Sequence, residues 1–381
     1  MTRRGAIRAA YERCLERAIE LAKEAPSDPK AMTCLPPPPE KPFAYGDLVP
    51  LGFLLMALRR CHADVPSERI RELEQLLLSR RRRELWAFHS GTLITATDSA
   101  LVLLGLDRPE SVAALEVFAD GKGGYVPQLW SDREEPDRMR ASLARRHWCQ
   151  SCYATTCLVR YHQRRFGLPV GASLDGLASG FERRSGLYFG NPHLVDWAFA
   201  LAIQGDEAAA PLGARLASEL LASRNDDGLF GSFDRALSTA WAILALAALG
   251  FSGAALLRSQ EALAELLLSG GVGEKAVPFY SSQRLDTSGI AAGLAAVSAL
   301  MEPDPHVART GGQTHGVSYY EDTHGIIGTA MGLLALAREP GPDTPGTEGG
   351  AAPHPRYSCP THADYVAAFA LPPYLSGPPD P

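Results

Sequence analysis

A chain of 381 residues with a 46% apolar share can bury a large core, and a 21% charged share is ordinary for a globular protein. A net charge of −6 leaves no global basic field, which argues against nucleic acid as a partner. Seven cysteines form an odd set, and the amphipathic start MTRRGAIRAAYERCLERAIELAKEA has no apolar signal core, so a reducing cytoplasm is the expected compartment.

Taken in order, residues 5–24 space apolar side chains helically between charges, the pattern of an outer helix. Residues 26–42, with four prolines at 36–39, read as an extended connection. An apolar helix is expected over 47–58 and an amphipathic one over 67–82, with Ser67 as its N-cap. The basic run Arg80–Arg83 reads as that helix's solvated end. Charged outer helices are predicted at 109–119, 172–183, 207–223 and 254–269. Apolar inner helices are predicted at 92–106, 149–163, 194–204, 236–249, 286–300 and 323–337. The polar stretch 120–146 reads as a rim loop, and no long strand pattern competes with the helices. The uncharged run 238–257 contains Gly250 and Gly253 and reads as a buried helix and the start of the next, not a membrane span.

Each inner helix follows a Gly- and aromatic-rich turn, most clearly in NDDGLFGSFDRALSTAWAILALAALG over 225–250. Self-similarity at roughly 40–50 residues marks a helical repeat array. Helices apolar on both sides must be buried all round, and one-sided ones pack outside them. Six or seven such pairs close most simply into an all-α double layer, an α/α toroid. The expected division is a toroid domain at 1–337 and, at 338–381, a Gly/Pro-rich linker and a tail that docks back on it.

The repeat resembles the terpenoid cyclase and protein prenyltransferase superfamily. TDSALVLLGL over 97–106 looks like the segment around the Asp-x-Asp-Asp acid motif of squalene–hopene-type cyclases, and the 225–246 stretch is similar to their Gln–Trp-type repeat. NPHLVDWAFALAI and YYEDTHGIIGTAMGLLAL look more like prenyltransferase β subunits. The resemblance covers roughly 85–337 and implies the toroid and an isoprenoid substrate. The departures are specific. Thr97 stands where the cyclases place the acid that protonates substrate, leaving Asp98 beside it. His324 stands where prenyltransferases place their last zinc ligand, but no Asp-x-Cys accompanies it.

Polar residues cluster where inner helices begin. His193, Asp322 and His324 lie there, and so does Cys152, which shares a C-x-x-C with Cys149 behind His147. A cap role is the plain alternative for each Asp. Histidine has no such preference, so its clustering at His89, His147, His193, His315 and His324 is the stronger site signal. The candidate catalytic residues are Asp98, Asp322, His324, His193 and Cys152. Aromatics Trp148, Tyr153, Trp197, Phe233, Trp241 and Tyr320 are the candidate substrate lining, because ring faces stabilise a cation by about 0.5–2 kcal/mol each; the same rings would also fill gaps between helix layers. The function expected is acid–base cyclisation, isomerisation or dehydration of an apolar, isoprenoid-like substrate, with no cofactor and no metal assigned. Two alternatives stay open: a zinc-dependent prenyltransferase-type transferase and a non-catalytic toroid for a hydrophobic ligand. A homodimer is the assembly considered.

Overall fold

The computed structural model describes residues 3–29, 32–36, 41–61, 64–90, 93–129, 151–270, 275–282, 317–338 and 353–370. Trp148, His147, Cys149, His315, the predicted helix 286–300 and most of the predicted linker lie outside the described residues.

The helices alternate between an outer and an inner layer. The outer set is α1 (Arg3–Glu24), α3 (Ser67–Ser79), α5 (Pro109–Ala114), α7 (Leu174–Gly180), α9 (Ala210–Ala222) and α11 (Ala254–Leu268). The inner set is α2 (Leu48–Arg60), α4 (Ala96–Val102), α6 (Tyr153–Arg165), α8 (Pro192–Ile203), α10 (Arg235–Ala248) and α12 (Ile326–Leu336). Inner helices pack in the order α2, α4, α6, α8, α10, α12 and back to α2, so the circle closes among the described residues. This is an α/α toroid of six pairs there, and the predicted seventh inner helix is the one outside the described residues.

Composition explains the layering. Every residue of α8 is buried, and so is α10 from Ala236 to Leu246. α1 buries Ala10, Cys14, Ala18 and Leu21, one stripe at three- and four-residue spacing, and keeps its charges outside. Two glycines set how closely α2 and α4 approach. A methyl on Gly52 would lie 2.8 Å from the Val102 Cα, and one on Gly105 would lie 2.6 Å from the Gly52 carbonyl oxygen.

The sequence reading missed a small antiparallel sheet. Strands β1 (Met32–Leu35), β2 (Phe43–Tyr45), β3 (Phe279–Ser282) and β4 (Val317–Glu321) pair in the order β2-β1-β4-β3. Part of the expected Pro-rich connection and two expected turns are therefore strand. The sheet lies at the rim where inner helices begin. β2 leads into α2 and β4 into α12, while Tyr280 N–H donates to the Tyr188 carbonyl just ahead of α8 at 3.0 Å. Side chains alternate along it. Tyr320 and Phe279 join the main core, whereas Tyr280, Tyr319 and Val317 belong to a separate cluster with residues 359–370. No described helix is long and apolar enough to cross a membrane.

Candidate active site

Asp98 sits in the first turn of α4. Thr95 caps this helix by accepting the Asp98 N–H at 2.9 Å, and its hydroxyl donates to the Asp98 carboxylate at 2.6 Å. Burial drives the carboxyl up to about 7, against the opposing pull of the Thr95 hydroxyl and the Phe88 backbone N–H. Asp98 is thus held well above the usual carboxylate range. Thr97, in the place of the cyclase acid, is buried and hydrogen-bonded to the Thr155 hydroxyl at 2.7 Å.

A train of rings lies beside this acid. Phe88 contacts Tyr320 at 5.1 Å, Tyr45 at 5.7 Å and Phe279 at 5.6 Å between centroids. Phe279 continues to Phe53 at 6.5 Å, and Phe53 to Trp197 at 6.2 Å. Phe53 is on α2 and Trp197 on α8, which stand opposite one another in the circle of inner helices. The rings therefore meet across the lumen. A separate, mostly apolar cleft of about 220 Å³ is lined by Arg83, Leu85, Leu93, Ile94, Phe118 and Leu129, and Asp98 is not among its lining residues.

The other candidates occupy different surroundings. Asp322, three residues before the N-cap residue Gly325, caps α12 with its side chain: its oxygens accept the Ile326 N–H at 2.9 Å and the Gly328 N–H at 2.8 Å. Burial still outweighs these amides and lifts it to about 6. His324, two residues on, is exposed. His193 is fully buried in the first turn of α8, 5.1 Å from the Tyr357 ring, and burial lowers it to about 4, which keeps it neutral. Asp196, one turn later, is held down at about 2, because Arg356 and Arg184 outweigh its burial.

Cys152 accepts the Leu187 N–H at 3.3 Å and the Thr155 N–H at 3.5 Å and caps α6. Burial pushes its thiol up, so it stays protonated, which fits a cap and not a nucleophile. Tyr153 points between layers, stacked on Phe199 at 6.0 Å with its hydroxyl on the Leu177 carbonyl. Phe233 faces His362, and Trp241 is wholly buried with no acceptor for its N–H among the described residues. Among the described residues, no three His, Cys, Asp or Glu side chains converge to hold a metal.

Sequence reasoning missed Phe53 and Tyr45 as lumen neighbours, while Phe88 and Phe279 are among the aromatics it clusters at inner-helix entries. Phe53 lies mid-helix in an apolar run and Tyr45 in a three-residue strand, so neither carries the aromatic-then-helix signal that marks Phe88 and Phe279.

No family model matches the chain, and no curated protein is similar to it. Solved structures are. The type II terpene cyclase MstE from Scytonema, ligand-free, matches 86% of this chain and 98% of its own at 16% identity and a TM-score of 0.57. A variant of that cyclase in complex with its substrate, geranylgeranyl dihydroxybenzoate, matches 88% and 97% at 15% identity and 0.58. A protein from Actinoplanes matches 87% and 98% at 16% identity and 0.58. What the chain shares with them is architecture, the α/α toroid.

Proposed function

We propose that this chain is an enzyme that protonates an apolar, isoprenoid-like substrate and guides the resulting carbocation to a cyclised or isomerised product. The observation that carries the reading is Asp98, a carboxyl held near pH 7 by burial at the start of an inner helix, beside a train of aromatic rings. An acid with its pKa near the working pH is suited to proton delivery. The proton would add to one carbon of a substrate double bond, the π pair forming the new C–H bond. The cation left behind would be taken up by a further double bond or relieved by loss of a proton. Ring faces of Phe88, Tyr320 and Phe279 would stabilise it, and exclusion of water would prevent quenching. The similarity in fold to a cyclase whose substrate carries a geranylgeranyl chain supports the substrate class.

The test is turnover of geranylgeranyl-bearing phenols, followed by mass spectrometry, in the natural chain and in Asp98→Asn. Loss of about 10²–10⁴ in rate with the fold intact is expected for a general acid. Turnover kept within about tenfold would remove Asp98 from the mechanism. The second reading is a toroid that binds a hydrophobic ligand without reaction. It is favoured by Thr97 in the acid's place and by rings that already touch one another across the lumen. Tight binding of the same phenols without any product would select it.

A further inference from the structure

Residues 353–370 cross the outside of the rim sheet. We infer that this segment is a displaceable strap, latched on Asp196, that clamps the sheet over the mouth of the lumen. The inference takes the lumen to be the reaction site proposed above.

The sheet stands between the two. Tyr320 and Phe279 face the lumen rings, while their neighbours Tyr319 and Tyr280 pack under the segment. His362 lies on Tyr319 at 4.7 Å and on Phe233, just before α10, at 6.2 Å. The Tyr280 hydroxyl donates to the Ala370 carbonyl at 3.2 Å. The segment thus spans the starts of α8, α10 and α12, three consecutive inner helices.

Its anchor is ionic and wholly buried. Arg356 donates to the Arg184 carbonyl at 2.7 Å, to the Pro192 carbonyl at 2.9 Å and to the Asp196 carboxylate. The Tyr357 hydroxyl donates to the other Asp196 oxygen at 2.8 Å. Arg184 completes the set, binding Asp196 at 2.7 Å and Glu219 at 2.6 Å. Two guanidiniums and two carboxylates balance in charge. Lifting the strap returns Arg356 to water and leaves the buried Asp196 carboxylate with Arg184 alone, so the latch resists opening but does not strand Asp196 without a partner.

The packing is that of a piece able to leave. Tyr365, Val366, Cys359 and Ala370 form, with Tyr280, a cluster separate from the main core, which only Tyr357, at the latch, joins from the segment's described residues. The opposite face, including Ser358, Thr361 and Asp364, is exposed. Segments with few core contacts of their own open locally, below the free energy of global unfolding.

Hydrogen exchange read by mass spectrometry on the full chain tests this. Peptides from 353–370 are expected to exchange at least about tenfold faster than those from α8 and α10. Arg356→Met should speed the strap by about a further tenfold and speed the sheet peptides 279–282 and 317–321 with it, leaving α10 unchanged. A single slow rate shared by strap and inner helices overturns the proposal, as does a freed strap above an unchanged sheet. Should Arg356→Met unfold the whole chain, Tyr280→Phe, which removes one strap hydrogen bond and strands no charge, decides by the same readout. Exchange needs no turnover, so a strap that opens while Asp98→Asn keeps its activity would sink the acid and leave the strap standing.

Discussion

At the scale of single residues, Asp98 carries opposite demands from function and stability. Its folded pKa, about 7, lies above the unfolded carboxylate value of about 4. Ionising it therefore costs the folded state. The cost is absent below about pH 4, grows as pH rises, and is complete above about pH 7, with an upper bound on the order of 4 kcal/mol. Asp98→Asn removes the cost and still accepts the Thr95 hydroxyl. We expect the variant to melt higher than the natural chain at pH 8 and no higher at pH 4, while losing turnover. A variant less stable at pH 8 would show that the carboxylate is stabilised in place and is no poised acid. The sequence singled out Asp98 because it adjoins the position where cyclases keep their acid. It could not show the cap role of Cys152, because the thiol's second amide donor, Leu187, is 35 residues away in sequence.

At the scale of elements, the inner helices were legible because apolar runs on both faces leave few alternatives. The sheet was not. Its strands are three to five residues long, and the register Cys34↔Tyr320 joins the two ends of the chain. Local pattern cannot supply such a pairing. Close approach of α2 and α4 was equally invisible: Gly52 and Gly105 look like unfavourable helix or turn residues until the facing backbone is seen. Gly52→Ala improves intrinsic helix propensity by about 1 kcal/mol. Yet its methyl would lie 2.8 Å from the Val102 Cα, a backbone atom that cannot rotate away. Overpacking of this kind costs about 1–3 kcal/mol, so the net expectation is a lower melting temperature. A rise on Gly52→Ala would mean that the two helices can separate freely, and the tight α2–α4 contact would lose its place in the account.

At the scale of the molecule, four of the buried groups pull the pH profile in opposite directions near neutrality. Asp98 and Asp322 are raised to about 7 and about 6, so their cost grows as pH climbs from about 4. His162 and His193 are lowered by burial to about 3 and about 4, so the folded state loses ground as pH falls from about 6.5. Between about pH 4 and 6, these two groups of each sign give slopes that nearly cancel, each on the order of 1.4 kcal/mol per pH unit, and the half-buried His354 and His362, lowered less by burial, add a smaller slope of the histidine sign. A flat melting temperature is expected across that window. Below it the balance fails, because Asp196, held down at about 2 by Arg356 and Arg184, must be protonated. Its stabilisation is full above about pH 4 and drains away as pH falls toward 2. His193 faces Arg356, Asp196 and Tyr357, and its own protonation adds a further positive charge there. The strap should therefore be the first part to exchange as pH drops below 4. Asp98→Asn removes one of the two carboxyl slopes, so its melting temperature should rise by a few °C from pH 4.5 to 6.5 where the natural chain stays level. Calorimetry on both across pH 3–8 reads this directly, and two curves that run parallel through the window would refute the assignment of Asp98 as a group titrating near neutrality.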